Sequence, residues 1–319
     1  MRIGVLGAGA MGSAFAGMLT DAGEDVTLIA RSRLHIAAIA AGGLRIDRPD
    51  GTTLIAAPRA TAEPALLPVG SLDAIVVMTK AFDTAGAMRS VAHALGPEGI
   101  AVSLQNGLGN EVPIAEAVGA GRTLVGVTTV GARLHEPGRV TITSTTADGT
   151  STTQFGPPDP VSVHPTAMAV ASDLARRCTR AGLPSVARTG IEVDIWNKLA
   201  LAVMGPVSAV LQRSVARVWE HAVAQRLLRS MFDEVVDVAS ASGVPLDRNA
   251  SWAHATRTYE GTGDHHTSMC TDVMLGRRTE IEAMAGAVAN RGTALGVATP
   301  VHDTIVALVR TLEGCYPPR

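Results

Sequence analysis

The chain has 319 residues, of which 46% are hydrophobic and 18% are charged, and its formal net charge at pH 7 is -2. This length exceeds a single typical core and predicts two domains, and the apolar content excludes overall disorder. The near-neutral charge gives no electrostatic case for nucleic acid or for an anionic membrane surface as a partner. We therefore expect small-molecule partners.

The cysteine and histidine patterns indicate the redox state of the thiols and whether the chain is expected to bind a metal ion. Cys178, Cys270 and Cys315 lie far apart without a CxxC spacing, which predicts reduced thiols rather than a disulfide framework or a zinc site. No HExxH motif occurs, so we expect no metal site. Met1 leads directly into an apolar strand pattern instead of a signal peptide, and no uncharged apolar run reaches membrane-spanning length. These features predict a cytoplasmic protein without membrane attachment.

The first predicted elements are a buried strand over 3–6 and a helix, joined by Gly7-Ala8-Gly9-Ala10-Met11-Gly12. In this GxGxxG spacing Gly7 permits the tight turn, Gly9 lets backbone approach a phosphate, and Gly12 lets the helix lie close to the strand. Free N–H groups and the helix dipole then face the anion. Glycines also serve ordinary turns, but the order strand, turn, helix favours a dinucleotide-binding site.

The second predicted strand ends at Arg31, where an NAD-specific fold usually carries an acidic residue. A guanidinium group suits a 2′-phosphate, so Arg31 favours NADP(H) as the cofactor. The alternative is that Arg31 and Arg33 are solvated loop cations.

Strands alternate with helical patterns up to about residue 188, which predicts βαβ units and a parallel sheet. The turns after the third and fourth strands contain Lys80 and Asn106, on the side where an open α/β sheet binds ligands. A loop is predicted over 143–153, a helix over 165–182 and a short strand over 185–188. The predicted strands span 3–6, 26–29, 74–78, 101–104, 124–127 and 140–142.

From residue 189 onward the pattern is helical almost throughout. Apolar residues from Val223 to Val238 recur at helical spacing, and Gly243 and Pro245 supply the stop signal. We therefore predict a Rossmann-type α/β domain over 1–188, followed by an all-α domain over 189–319.

Lys198 is a cation in an otherwise apolar helical stretch over 195–204. Burying an ammonium group costs several kcal/mol in effective terms unless the group is paired or neutralised. Desolvation lowers the pKa of a lysine toward neutrality, where the group serves well as a general acid. The alternative is a lysine at the helix edge whose amine reaches water.

A second polar stretch runs from His265 through Ser268 to Glu282. In one straight helix Ser268 and Glu280 would lie about 18 Å apart at about 1.5 Å per residue, too far to share a small substrate. Thr279 and Glu282 have the spacing of a capping box, so a fresh helix is predicted to begin at Glu280 after a break at Gly276. The structural alternatives are that Glu280 serves the helix dipole, that Ser268 is a helix cap and that Asn106 is a turn residue.

In this order the motifs resemble those of the ketopantoate reductase family (2-dehydropantoate 2-reductases). The resemblance rests on the glycine turn, Arg31, Thr79-Lys80, Gln105-Asn106-Gly107, the stretch 196–200, Ser268-Met269 and the stretch 277–281.

The resemblance implies a role for each matching residue. Arg31 and Lys80 resemble ligands of the adenosine end of the cofactor and its 2′-phosphate, and Ala132 falls where a small residue approaches the cofactor. Lys198 resembles the general acid, and Glu280 the carboxylate that orients the lysine and meets the cofactor ribose. Asn106 resembles the asparagine placed near the nicotinamide and the substrate, and Ser268 a donor to the substrate carboxylate.

The chain departs from the family pattern at three places near the expected substrate. Ala202 and Gly205-Pro206 stand where members that use ketopantoate carry asparagines, and His265 stands where an asparagine precedes the serine segment. Losing such a donor changes discrimination between substrates.

The main hypothesis is an NADPH-dependent reductase of a 2-oxo acid, ketopantoate, in the pantothenate pathway. The alternatives are a D-2-hydroxy acid dehydrogenase for branched or aromatic 2-oxo acids, an enzyme that reduces an imine, and a non-catalytic NADP(H) sensor. A homodimer is one assembly that the sequence leaves open.

Overall fold

The computed structural model describes residues 1–144, 153–158 and 164–317. The chain divides into two compact units, of which unit 1 comprises Met1–Gln105 and Asn110–Ile191. Unit 2 comprises Asn106–Gly109 and Glu192–Arg319. The units change at residues 191 and 192, three residues after the predicted domain boundary, and a short piece of the first half belongs to unit 2. We call this piece, Asn106–Gly109, the 106–109 segment.

Unit 1 holds all the described strands and five α-helices. The strands are β1 (Arg2–Leu6), β2 (Asp25–Ile29), β3 (Leu44–Asp47), β4 (Thr53–Ala56), β5 (Arg59–Thr61), β6 (Leu72–Val77), β7 (Leu95–Ser103), β8 (Thr123–Thr128), β9 (Gly131–Glu136), β10 (Arg139–Ser144), β11 (Thr153–Gly156) and β12 (Ser185–Ala187). The helices are α1 (Ala10–Asp21), α2 (Arg33–Gly42), α3 (Thr84–Val91), α4 (Glu111–Val118) and α5 (Pro165–Arg180).

The main sheet of unit 1 has the strand order β12-β11-β8-β7-β6-β1-β2-β5. Its neighbouring strands are parallel, except that β11 runs antiparallel to β8. The α/β class and the Rossmann-type N-terminal sheet are therefore confirmed, with β11 and β12 added at one edge and running antiparallel to the other six strands.

A second sheet of unit 1 has the order β4-β3-β10-β9. The strand predicted over 140–142 is part of β10 and lies in this sheet, so placing it in the parallel sheet was wrong. The sequence reading missed β3 because a short strand with one covered face alternates: Leu44 and Ile46 are buried, and Arg45 between them is exposed. Residues 145–152 of the predicted loop, and residues 159–160 of the proline-rich turn after β11, lie outside the described residues.

The core of unit 1 covers both faces of the main sheet. On β6, Ala74 and Val76 belong to the apolar cluster that includes α1 and α5. Ile75 and Val77 belong to the cluster that includes α3 and α4. Because successive side chains of a strand point to opposite faces, a strand covered on both faces reads as a continuous apolar run. This explains why the central strands could be recognised from the sequence.

Unit 2 is helical in its described residues. Its helices are α6 (Glu192–Leu201), α7 (Met204–Leu211), α8 (Val215–Trp219), α9 (Ala222–Ala241), α10 (Arg248–Thr262), α11 (Ser268–Met274), α12 (Ala285–Leu295) and α13 (Pro300–Gly314). The helix predicted around 223–238 is α9, and Gly243 after it has a φ of +81°, a conformation that favours glycine. Met231, Phe232 and Val235 of α9 lie at the centre of the core and are fully buried.

The segment Glu192–Leu211 is, by length and composition, the stretch among the described residues that is apolar enough to cross a membrane. Its mean hydropathy is 1.2, and 56% of the window is buried in the folded chain. In the structure it forms two helices, α6 and α7, that are interrupted at Ala202 and Val203. Its apolar composition is also that of a buried core segment.

Candidate active site

The glycine turn after β1 has the geometry that its spacing predicts. Gly7 has a φ of +110°, and a Cβ atom there would lie 2.7 Å from the backbone of Met78 and Thr79 at the end of β6. A Cβ atom on Gly12 would overlap the carbonyl oxygen of Gly7. Both positions therefore require glycine, because the turn approaches β6 and α1 approaches the turn.

The amino end of α1 fits a pyrophosphate. Gly9 is the N-cap residue and is exposed, and a Cβ atom on it would have no neighbour within 4 Å among the described residues. The first turn of α1, which includes Ala10 and Met11, has no acidic residue, and no side chain caps it. The N–H groups of a helix amino end then face open space, which is the arrangement that binds an anion. Ala8 lies within the same turn.

Arg31 and Lys80 lie after β2 and β6, at the same edge of the main sheet as the glycine turn. Arg31 is exposed, and its guanidinium group binds the carboxylate of Asp83 through two hydrogen bonds of 3.1 and 2.6 Å. Lys80 is half-buried and directly precedes Ala81–Asp83, a short 3-10 helix. Both cations are therefore placed where the adenosine end of a dinucleotide is expected.

Ala132 lies on β9 of the second sheet, opposite Ile142 of β10. Its side chain is half-buried and packs against the apolar cluster that includes α1. The structure thus places Ala132 in unit 1, on a strand of the second sheet.

Gln105 of unit 1 was named from the sequence as part of the Gln105-Asn106-Gly107 motif, but no role was assigned to it. Its side-chain amide donates to the carbonyl oxygen of Thr79 and to the hydroxyl oxygen of Thr84, both at 2.7 Å, and its carbonyl oxygen accepts from Ser103 at 3.1 Å. Gln105 therefore fixes the turn that precedes Lys80. The sequence feature that could have indicated this role is the position of Gln105 directly after a predicted buried strand.

In unit 2, α6 places the half-buried Lys198 beside the 106–109 segment. Lys198 Nζ donates a hydrogen bond of 2.8 Å to Asn106 Oδ1. Desolvation lowers the pKa of Lys198 to about 8, while the negative charge of Glu280 acts in the opposite direction and raises it. The direction of this shift agrees with the expectation from the sequence, and the Lys198 amine has a hydrogen-bond partner within unit 2.

The 106–109 segment is held in unit 2 by the turn that follows Glu280. The N–H group of Leu108 donates to the carbonyl oxygen of Ala283 at 2.8 Å. Gly107 has a φ of +90°, and a Cβ atom there would overlap the same carbonyl oxygen. Asn106 is therefore more than a turn residue, because its segment is anchored so that its side chain meets Lys198.

Glu280 is buried and lies outside any α-helix, so the prediction that a helix begins there was wrong. The next helix, α12, begins at Ala285. The Thr279 hydroxyl oxygen accepts from the N–H group of Ile281 at 3.2 Å, but the reciprocal half of the capping box does not form because the N–H group of Thr279 and the carboxylate of Glu282 have other partners. Thr279 donates its N–H and hydroxyl to Glu313, at 2.7 and 2.6 Å, and Glu282 accepts two hydrogen bonds of 2.7 Å from Arg310. With no helix at Glu280, the helix-dipole alternative also fails.

Ser268 and His265 lie at the amino end of α11 and are both exposed. The helix cap is Thr267, whose hydroxyl oxygen accepts from the N–H group of Cys270, so Ser268 is not the cap. α11 ends at Met274, and Gly276 has a φ of +60°. The predicted break between Ser268 and Glu280 is confirmed.

Unit 2 thus brings three of the predicted residues together: Lys198 forms a hydrogen bond with Asn106, and it interacts electrostatically with Glu280. Among the described residues there is no group of three or more His, Cys, Asp or Glu side chains that could hold a metal ion.

Comparisons with known proteins match both units. The family model described as Ketopantoate reductase PanE/ApbA matches residues 3–159, and the model of its C-terminal region matches residues 190–313. The 2-dehydropantoate 2-reductase of Halobacterium salinarum is 32% identical over 320 residues, covering 98% of this chain and 99% of the relative. That of Pyrococcus horikoshii is 30% identical over 315 residues, covering 98% of each chain.

Two solved structures are similar over the whole chain. D-mandelate dehydrogenase, in a ternary complex with NADH and anilino(oxo)acetate, has a TM-score of 0.88 at 26% identity, covering 98% of this chain and 99% of that one. A PanE/ApbA family ketopantoate reductase from Ralstonia eutropha has a TM-score of 0.86 at 27% identity, with the same coverage.

Proposed function

Because this chain belongs to the ketopantoate reductase family, an oxidoreductase family acting on CH–OH groups, we propose that it reduces ketopantoate to pantoate with NADPH in the pantothenate pathway. The single observation that carries the proposal is the ammonium group of Lys198, bonded to Asn106 and within the electrostatic reach of Glu280.

Lys198 is the proton donor of this proposal. Reduction of a ketone leaves negative charge on the carbonyl oxygen, which a nearby ammonium group stabilises and then protonates. With a pKa of about 8, Lys198 carries its proton at neutral pH and holds it less tightly than an ordinary lysine. Asn106 orients the amine by accepting its hydrogen bond, and Glu280 helps to keep it charged.

The cofactor of this proposal is NADPH, whose nicotinamide supplies the hydride when bound. The glycine turn and the open amino end of α1 at Gly9 hold the pyrophosphate, and Gly7 and Gly12 permit the close packing of this turn. Arg31 and Lys80 hold the 2′-phosphate, and Ala132 and Asn106 contact other parts of the cofactor. Because the similar D-mandelate dehydrogenase structure contains NADH, activity should be measured with NADPH and with NADH.

The substrate carboxylate is assigned to Ser268, with Asn106 and His265 as further contacts. Ser268 is exposed at the first position of α11, where backbone N–H groups add to its hydroxyl as donors.

A second candidate substrate class is favoured by the helix break after α6. Ala202 and Gly205 lack polar side chains, and a Cβ atom on Gly205 would lie 4.0 Å from the terminal methyl group of Met284. These apolar positions, if they contact the substrate as the asparagines of the family do, suit a branched or aromatic 2-oxo acid better than one with a hydroxyl group. The similarity to D-mandelate dehydrogenase points to the same class.

A substrate panel tests the proposal. We expect reduction of ketopantoate, 2-oxoisovalerate and phenylpyruvate to be detected by oxidation of NADPH or NADH, with kcat/KM highest for ketopantoate. A preference for ketopantoate of less than about tenfold, which is about 1.4 kcal/mol, favours the D-2-hydroxy acid dehydrogenase instead.

The control variant is Lys198→Ala. If the wild type reduces none of the 2-oxo acids while both proteins bind NADPH equally, the chain is a cofactor sensor and the reductase proposal fails.

A further inference from the structure

We propose that Asp83 competes with the 2′-phosphate of NADPH for the guanidinium group of Arg31, and that this carboxylate thereby sets the preference for NADPH over NADH. The inference rests on the proposed function, because it takes Arg31 as a ligand of the 2′-phosphate.

The geometry places the ion pair beside the expected cofactor. Arg31 follows β2 and Asp83 follows β6, and β1 lies between these strands in the sheet. The pair therefore bridges the carboxyl end of β1, where the glycine turn begins. Arg31 Nη1 donates to Asp83 Oδ1 at 3.1 Å, and Arg31 Nη2 donates to Asp83 Oδ2 at 2.6 Å.

Both terminal nitrogens of Arg31 are thus used by one carboxylate. The planar guanidinium fork binds a carboxylate or a phosphate in the same bidentate way, so the two acceptors compete for the same donors. The 2′-phosphate carries about -1.5 to -2 charges at neutral pH and depends on this guanidinium group as its counter-charge. The 2′-hydroxyl of NADH is uncharged, so its binding does not depend on releasing Arg31 from Asp83.

A second carboxylate acts on the next cation, Arg33, at the first residue of α2. Arg33 Nη2 donates to Glu63 Oε1 at 3.1 Å. Arg31 and Arg33 therefore each have an acidic partner already, and the positive potential offered to a 2′-phosphate is weaker than the two arginines alone indicate.

The test variant is Asp83→Asn, which keeps the shape of the side chain and removes its charge. The matched control is Asp25→Asn, since Asp25 also pairs with an exposed arginine, Arg59, but lies at the opposite end of β2. Dissociation constants for NADPH and NADH are measured by fluorescence titration without any oxo acid. We expect Asp83→Asn to bind NADPH about fivefold more tightly, the upper range for an exposed ion pair, with little change for NADH.

A double-mutant cycle with Arg31→Ala identifies the cause. If Asp83 acts through Arg31, Asp83→Asn produces no gain in NADPH affinity in the Arg31→Ala background. The proposal is overturned if the gain persists there, if NADH affinity rises equally, or if Asp25→Asn produces the same gain. It also falls if the wild type binds no NADPH. Failure of the proposed function is separate: a protein that shows the expected binding shifts but reduces no 2-oxo acid overturns that function alone.

Discussion

At the scale of single residues, the Lys198 amine is the group whose protonation should control the rate. Only the ammonium form donates a proton, so we expect kcat for reduction to fall as pH rises through about 8, the pKa that desolvation produces. Glu280→Gln removes the charge that raises this pKa, so the falling limb should move to lower pH. A kcat profile from neutral to alkaline pH checks this. Coincident profiles for the two proteins would show that Glu280 does not act on Lys198.

Lys198 should also lower the stability of the fold. Desolvation of the ammonium group raises the free energy of the folded state. A methionine side chain is also unbranched and fills a similar volume without carrying a charge. We expect Lys198→Met to lower kcat by about 10²- to 10⁴-fold, the usual contribution of a general acid, and to raise Tm. Steady-state kinetics and thermal unfolding measure both effects. An equal loss of NADPH affinity would instead indicate damage beyond the proton donor.

At the scale of elements, the 106–109 segment depends on Gly107. Gly107→Ala adds a methyl group that overlaps the carbonyl oxygen of Ala283, so Asn106 must move away from Lys198. Gly109→Ala is the matched control, because Gly109 has a φ of +80° but no neighbour within 4 Å among the described residues. Both variants should lose about 1–2 kcal/mol to the left-handed backbone. Only Gly107→Ala should also shift the pH profile of kcat, and equal profiles would contradict the anchoring.

The turn that carries Glu280 is held by a second element, α13. Glu313→Ala leaves the N–H and hydroxyl of the buried Thr279 without their acceptor, which should cost about 1–3 kcal/mol in the free energy of unfolding. Arg310→Ala, which removes the exposed pair with Glu282, should cost about 0–1 kcal/mol. Urea unfolding compares the two. If Arg310→Ala costs as much as Glu313→Ala, the buried tether does not account for the difference.

At the scale of the whole molecule, acid should unfold the protein through its paired carboxylates. Burial opposes ionisation of Glu234, but hydrogen bonds from His302 and from the N–H groups of Val301 and His302 outweigh it and lower the pKa. The pKa values of Glu24, Asp73 and Asp173 are also lowered. The unfolded chain then binds more protons in acid, so the free energy of unfolding falls as pH drops below about 4.5.

Glu234→Gln tests this at the amino end of α13. The variant should lower Tm at neutral pH, and the difference from the wild type should shrink as pH falls through the lowered pKa of Glu234. Thermal unfolding across the acid range measures it. A difference that stays constant with pH would mean that the ionised form of Glu234 contributes nothing.

The sequence by itself determined the class of the fold, and it pointed to the residues of the candidate site. Strands covered on both faces read as apolar runs, the glycine turn requires residues without a side chain, and a lysine among apolar residues marks a desolvated cation. These signals are local, so each could be recognised within a few neighbouring residues.

Only the tertiary structure decided where side chains with competing partners go. Thr279 and Glu282 have the spacing of a capping box, but Glu313 and Arg310, distant in sequence, bind them instead and α12 begins later. The 106–109 segment joins unit 2 because Gly107 has no Cβ atom and leaves room for the carbonyl group of Ala283, which is distant in sequence. Arg31 meets Asp83, which lies 52 residues further along the chain, because β2 and β6 flank β1 in the sheet. Spacing records which local contacts are geometrically allowed, whereas the free energies of distant contacts decide which of them form.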